Sequence, residues 1–368
     1  MDEKTNFLPP KTFRPVRVGD AVFPGWIALS LPGGLADLFF APIEDPWGLP
    51  PGLQALRIRA LFARIRAVRP TAALWVAVEV PGAWFREEIA RGLRGIPAPV
   101  AVTDGRLPSR EDFSFPPRLF PALSPPPPAD PPPAFPKEMA RALLALLRLR
   151  EAATAEVAAQ AGLSPPRARE ILRGLAAAGR VVEEGSPYPL WRLTRSGLST
   201  ARRMLLLPPG ARFFDGREKG GRGRHRRAAR LWPAWVRKAL GAEVWGGWSE
   251  VVLSGTLRPD GLAWGLWKGR ETLFLLEAES GRRSREDLRR RLRERVDRIA
   301  ARLRGWPVVL AVLGPPWVLR ALAADPPEIP GGIAVVLEDW KAFGRLPEPA
   351  FGRMAIGRQM IRSAAHRH

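Results

Sequence analysis

Residues 256–283 read TLRPDGLAWGLWKGRETLFLLEAESGRR. Two apolar runs flank Lys268-Gly269, so the stretch predicts a hairpin turning at that pair. Side chains alternate faces along a strand, which puts Leu275, Glu277 and Glu279 on one face and Phe274, Leu276 and Ala278 on the other. Asp260 lies in a Pro-Asp-Gly turn one strand earlier, and the hairpin can bring it to the same end. Carboxylates crowded at the end of an apolar strand are partly dehydrated, and they repel one another unless a cation or a guanidinium intervenes. Three oxygen ligands with open positions suit Mg²⁺ or Mn²⁺. Such an ion polarises a phosphodiester and lowers the pKa of an attacking water. Asp260, Glu277 and Glu279 are therefore candidate metal ligands and catalytic residues. Plainer readings stand beside this one. Pro-Asp-Gly is a good turn on its own, and the glutamates could simply pair with Arg282, Arg283 or the arginines that follow.

Outward from the hairpin, AARLWPAWVRKALGA predicts an amphipathic helix interrupted by Pro233, and EVWGGWSEVVLSG a strand pair or a bulged strand. A helix from about Arg285 to Arg304 starts at Ser284 as N-cap, with Glu286 and Asp287 in its first turn. Leu288, Leu292, Val296, Ile299 and Leu303 form its inward stripe. Its arginines would make a basic ridge, serving as a phosphate track or as a solvated face laced by Glu294 and Asp297. The apolar strand PVVLAVL, a helix opening at Pro315-Pro316-Trp317 and the strand GGIAVVL complete the segment. That order implies an α/β sandwich on a mixed sheet. Trp245, Trp248, Trp264 and Trp267 fall among strand residues, where core packing comes before base stacking.

The middle segment, 137–204, predicts three helices and a small hairpin. KEMARALLALLRLREA has helical spacing, TAEVAAQAGL starts at Thr154 and stops near Gly162, and SPPRAREILRGLAAAGRV starts at Ser164 and ends at Gly179. Ala168, Ile171, Leu172 and Leu175 face inward in the last of these, and Arg167, Arg169 and Arg173 face the other way. VVEEGSPYPLWRLT reads as two short strands around a turn. Three helices and a hairpin are a winged helix-turn-helix, whose third helix enters the major groove of DNA. Ser164, Arg167, Arg169 and Arg173, with Arg192 and Arg195 at the hairpin, are candidate DNA contacts; a winged helix used only for protein contact is the alternative. Arg224 and Arg226 flank His225 in the basic stretch GRGRHRR, which suits phosphate contact better than general-base work.

SPPPPADPPPAFP, 124–136, cannot donate to helix or sheet ladders and reads as a stiff linker within 116–136. A Gly/Arg-rich linker spans 205–226, and residues 346–368 form a basic tail. Residues 1–115 form a smaller α/β domain, with a basic helix LQALRIRALFARIRAV, a strand AALWVAVEV, a helix PGAWFREEIARGL and a strand IPAPVAVTDG. Trp84, Ile96, Pro97 and Val102 stand to Trp317, Ile329, Pro330 and Val335 without gaps, and LPGGLA at 31–36 echoes RPDGLA at 258–263 with Gly33 in the place of Asp260. This reads as a degenerate copy of the 227–345 domain that has lost its acidic residues; any strand-helix-strand unit in so biased a composition would look similar.

With 58 Lys+Arg against 36 Asp+Glu the chain carries a net charge of +22, which attracts polyanions, nucleic acid first and anionic membrane second. It has no cysteine, which excludes disulfides and thiolate zinc sites, and its three histidines are scattered. No apolar run is long enough to cross a bilayer and the N-terminus is no signal peptide, so a cytoplasmic protein without membrane contact is expected. A Walker-type loop is absent, which disfavours an ATP-driven motor.

Pro259-Asp260 followed by Glu277-Ala278-Glu279 resembles the PD-(D/E)xK nuclease superfamily, with its helix, three-stranded meander, helix and further strand-helix elements. Glu279 stands where the superfamily has its lysine, so the resemblance implies that Lys268 or Arg282 supplies the positive charge, or that catalysis has been lost; it also implies an additional acidic ligand from the first helix or strand, for which Glu250 and Glu243 are the weaker candidates. The Leu-Thr-x-x-Gly exit in PLWRLTRSG, His225 at a helix start, Pro-Asp and the acidic-x-acidic strand together resemble the plasmid replication-relaxation family over about 137–340. That resemblance implies a DNA-binding protein of a plasmid or mobile element, acting on duplex DNA with Mg²⁺ or Mn²⁺. A non-catalytic regulator of replication or transcription, with an inert nuclease-like domain for dimerisation, is the second expectation, and a subunit of a larger nucleoprotein assembly the third.

Overall fold

The computed structural model describes residues 14–18, 21–31, 34–44, 49–106, 108–114, 136–184, 189–205, 207, 223–253, 257–281, 283–326 and 328–339. Side chains are described from Leu38 onward in the first of the two compact units. The proline-rich stretch, Arg282 and the basic tail lie outside the described residues. The chain divides into a unit of Met1–Pro132 with Leu205–Phe213 and a unit of Pro133–Met204 with Phe214–His368. The protein is a mixed α/β chain with three sheets among its described residues.

The first unit is a six-stranded sheet of β1 (Arg14–Val18), β2 (Ala21–Leu31), β3 (Gly34–Ile43), β4 (Ala73–Val78), β5 (Val100–Thr103) and β6 (Phe113–Ser114), in that spatial order. β1, β2 and β3 are an antiparallel meander, and β3, β4 and β5 run parallel. The parallel crossovers are α1 (Pro51–Val68) and α2 (Trp84–Leu93). β4 is buried along its whole length, as a strand covered on both faces must be. Ala55, Ile58, Phe62 and Ile65 of α1 and Trp84, Phe85 and Ile89 of α2 are buried with it.

The second unit opens with α3 (Lys137–Leu149), β7 (Glu151–Ala152), α4 (Thr154–Ala161) and α5 (Pro165–Ala177), then β8 (Val181–Glu184), β9 (Leu190–Leu193) and α6 (Arg195–Met204). The strands form a small sheet in the order β7-β9-β8. Ala168, Ile171, Leu172 and Leu175 are the buried residues of α5, as the spacing predicts. Gly162 and Gly179 follow their helices with φ of 65° each, the left-handed conformation that glycine tolerates best. Thr194 Oγ1 donates to the Gly179 carbonyl at 2.7 Å and accepts from Gly197 N at 3.0 Å, so the Leu-Thr-x-x-Gly exit is a local clamp. A Cβ at Gly197 would lie 1.9 Å from the Arg180 carbonyl oxygen, which explains the glycine.

The same unit continues with α7 (Gly223–Leu240), β10 (Glu243–Ser249), β11 (Gly261–Trp267), β12 (Arg270–Ala278), α8 (Arg285–Arg302), β13 (Val308–Gly314), α9 (Pro316–Ala323) and β14 (Ile333–Asp339). Its sheet order is β10-β11-β12-β13-β14, an antiparallel meander joined to two parallel strands. Pro233 lies inside α7, which runs through it unbroken, in contrast to the interruption expected from the sequence. The helix also begins at Gly223, inside the stretch read as linker. β10 is one bulged strand, shifting register between Val244 and Gly246. Trp232 of α7 is fully buried and donates Nε1 to the Phe274 carbonyl at 2.9 Å, pinning the helix to β12. Trp248 and Trp264 are buried and Trp267 donates to the Leu240 carbonyl, so these indoles pack the core.

Both large sheets share one connection: an antiparallel meander, a helix, a parallel strand, a helix, a parallel strand. Leu38 pairs with Ala73 and Leu273 with Val308, the same sequence separation in each sheet. The tight turns correspond as well, Leu31 facing Gly34 and Trp267 facing Arg270. Aligned on those turns, Pro24, Ala41 and Ile43 occupy the register positions of Asp260, Glu277 and Glu279. The LPGGLA echo is thereby corrected. Gly34 begins β3 at the counterpart of Arg270, and the register counterpart of Asp260 is Pro24 rather than Gly33.

Candidate acidic edge and basic cleft

The last antiparallel rung of the hairpin is Gly261 facing Leu276, which leaves Asp260 and Glu277 as neighbours just beyond it. Backbone and side chain both fix Asp260 there. Its N–H donates to the Leu276 carbonyl at 2.9 Å, and its Oδ2 accepts from Ala278 N at 2.8 Å. Glu277 and Glu279 share a face of β12, as alternation requires, and both line a cleft of about 230 Å³ roofed by α8. This edge is the carboxyl end of the parallel strands, where α/β sheets place their ligands.

Glu277 Oε2 accepts from Arg295 Nη2 at 2.8 Å, whereas its buried Oε1 has no hydrogen-bond partner. Burial holds the Glu277 carboxyl well above the usual carboxylate range, and the nearby Asp260 charge pushes it further up. The Arg295 guanidinium works against both without cancelling them. Glu279 is turned to Arg283, whose Nη1 reaches its two oxygens at 3.0 and 3.1 Å. Among the described residues no cluster of three or more His, Asp or Glu side chains is arranged to hold a metal ion. The structure thus brings Asp260 and Glu277 together, while Glu279, on the same cleft, is held by Arg283. An orphaned, buried carboxylate oxygen beside a second carboxylate fits a hard divalent cation that keeps several waters.

Lys268 is not part of this edge. It sits in the turn at the opposite end of the hairpin, roughly 25 Å away at ~3.3 Å per strand residue. There it has a φ of 49°, and its ammonium lies 4.5 Å above the Trp267 ring. Glu243, at the start of β10 opposite Leu266, is at that far end too and accepts from Trp245 Nε1. Glu250 is at the near end, its N–H donating to the Asp260 carbonyl at 2.7 Å. Arg295, which sequence reasoning did not single out among the ridge arginines, is the cation that the fold delivers to Glu277. Its approach depends on how α8 crosses β12, a tertiary fact with no local signature.

On α5, Ser164, Arg167, Arg169 and Arg173 are exposed. Ser164 is the N-cap residue without a side-chain cap bond, and Arg167 pairs with Glu138 and Glu170. Arg192 is exposed on β9 and paired with Glu184, and Arg195 is exposed at the start of α6. Arg224 and Arg226 belong to the first turn of α7, and their side chains, like that of His225, lie outside the described residues.

The helices and the large sheet of this unit meet through buried charge. Arg230 of α7, 4% exposed, lies 3.3 Å from Glu156 of α4 and 3.5 Å from Glu151. Arg150, the residue after α3, reaches the carbonyls of Ser249 and Glu250 at 3.5 and 3.4 Å and the Glu250 carboxylate at 3.8 Å. Arg150 has a φ of 75° and Glu250 a φ of 50°, conformations that cost free energy at non-glycine residues and persist where the surroundings enforce them. Among the described residues no helix is long and apolar enough to cross a membrane. Compared with models of protein families, with curated proteins and with solved structures, the chain matches none of them.

Proposed function

We propose that the protein binds duplex DNA through a winged helix formed by residues 137–204 and acts on it with a PD-(D/E)xK-type nuclease-like domain at 227–345. The three helices and β8–β9 hairpin, with arginines on the open face of α5, support the first half of this reading. The pairing of Asp260 with Glu277 at the carboxyl edge of a meander-helix-strand-helix-strand sheet is the observation that carries the second. Asp260 and Glu277 would hold Mg²⁺ or Mn²⁺, which supplies charge stabilisation at the phosphate and a more acidic water. Glu279 and Arg283 then shape the rim, and Arg295 supplies the cation that the superfamily's lysine normally brings. The shared topology of the two large sheets supports reading the first unit as a degenerate copy, with Ala41 and Ile43 where the carboxylates would be. The resemblance to the plasmid replication-relaxation family makes plasmid or mobile-element DNA the first substrate to test.

A second reading has its own support. Glu277 and Glu279 each have a guanidinium partner, as an inert edge would require, so a non-catalytic DNA-binding regulator keeps everything but cleavage. Nicking of supercoiled plasmid in Mn²⁺ separates the two. The catalytic reading expects cleavage by the wild type and its loss in Asp260→Ala and Glu277→Ala, with DNA binding retained. Binding without cleavage in the wild type would establish the regulator instead.

A further inference from the structure

The cleft beneath α8 carries more positive charge than its carboxylates consume. Arg290, Arg291, Arg295 and Arg298 line it against Glu277, Glu279 and Glu294. Arg290 is held by Asp287 at 2.8 Å and lies 3.8 Å from Glu294, Arg298 approaches Glu294 at 3.3 Å, and Arg295 is bound to Glu277. Arg291, also in the lining, makes no ion pair with a described residue and is exposed. Leu288, Leu292, Val312 and Leu322 complete the lining. Several guanidiniums converging on one cleft attract an oxyanion, because each fork can donate two parallel hydrogen bonds to neighbouring oxygens. At about 30 Å³ per water in the liquid, a cleft of about 230 Å³ holds several waters or one phosphodiester group.

We propose that this cleft is a binding site for a DNA backbone phosphate, held by Arg291 and Arg298, with Arg295 exchanging Glu277 for that phosphate as it enters. The resting Arg295–Glu277 pair is then a placeholder: one guanidinium balances the buried carboxylate until the phosphate takes it away. Release of Arg295 leaves Glu277 with neither oxygen occupied by the protein, the condition in which it can share a cation with Asp260. The proposal rests on the function proposed above only for which phosphate enters, namely one next to the bond to be cut; the binding itself needs no catalysis.

The test uses the full chain, a labelled duplex oligonucleotide and EDTA, with affinity measured across a salt series. Each lost phosphate contact reduces the salt slope by about 0.9. Arg291→Ala/Arg298→Ala is expected to lower the slope by one to two such contacts and to weaken binding about tenfold near physiological salt. Glu277→Gln is expected to tighten metal-free binding several-fold, because a neutral amide holds Arg295 less strongly than a carboxylate does, an effect that simple loss of structure cannot produce. Arg291→Glu, at an exposed position, provides a folded comparison if the double variant is unstable, and is expected to weaken binding at least as much as the double variant. Unchanged affinity and slope in the arginine variants, or no tightening in Glu277→Gln, would overturn the proposal. A wild type that binds as expected but never cleaves in Mn²⁺ would instead remove the catalytic reading and leave the cleft standing.

Discussion

Replacing Arg230 by alanine should be the most damaging single change at the junction between the three-helix module and the large sheet of the second unit. Arg230 is 4% exposed and sits between Glu151, 8% exposed, and Glu156, 4% exposed. Glu156 is held in place as well by accepting from Ala153 N at 2.7 Å at the start of α4, so it cannot swing out to water. Alanine would take the buried guanidinium away from two buried carboxylates at once. Breaking a buried ion pair by removing one partner costs about 3–5 kcal/mol. At roughly 2–4 °C per kcal/mol for a body of this size, the melting transition of the second unit should fall by about 6–20 °C. Scanning calorimetry of the full chain measures the shift. The companion variant Arg230→Met/Glu151→Gln/Glu156→Gln replaces the charges with neutral groups of similar size and should recover most of the loss, since such replacements are often close to neutral. A shift below about 2 °C for Arg230→Ala, under 1 kcal/mol on the same scale, would refute the inference that this triad joins the two parts.

Three further outcomes are expected. Gly197→Ala forces a Cβ onto the Arg180 carbonyl and should destabilise the exit of the β8–β9 hairpin by more than the ~1 kcal/mol of a typical substitution, read by urea denaturation. In the first unit, the hydrogen bond from Arg106, followed by those from Ser109, holds the Asp112 carboxyl well below the usual range. Its contribution is present above the unfolded carboxylate pKa and is lost as pH falls through the folded value, so Asp112→Asn should lower the first-unit melting temperature at pH 7 and approach wild type in strong acid. Arg150→Ala frees the Ser249–Glu250 segment, whose Glu250 N–H donates to the Asp260 carbonyl, and on the catalytic reading should lower the rate of Mn²⁺-dependent cleavage severalfold with little change in DNA affinity, checked by single-turnover kinetics. Equal losses in both would indicate general unfolding.

The parts legible in the sequence are those governed by periodicity. The stripe Leu288, Leu292, Val296, Ile299 and Leu303 is buried throughout, the hairpin turns at Lys268-Gly269, and Ser284 caps α8 by accepting from Asp287 N. Elsewhere a tertiary partner overrode the local signal. Thr154 has the chemistry of an N-cap, but the cap is Ala153, and the Thr154 hydroxyl instead accepts from Trp191 Nε1 across the module. Pro233 reads as a break, yet α7 continues because Trp232, Trp235 and Val236 around it are buried against the sheet. The end of the first predicted helix, Glu151-Ala152, pairs with β9 as a strand after Arg150 turns the chain. In the acidic edge the same division holds: alternation places Glu277 and Glu279 on one face, whereas only the packing of α8 decides that Arg295 and Arg283 take one carboxylate each.

The most direct test of the account is a Mn²⁺ titration of the full chain followed by electron paramagnetic resonance, with wild type beside Asp260→Asn. The account predicts one bound ion per chain in the wild type, strengthened by duplex DNA, and none in the variant. Binding that is absent in the wild type with and without DNA, or that survives the loss of the Asp260 charge unchanged, would contradict it.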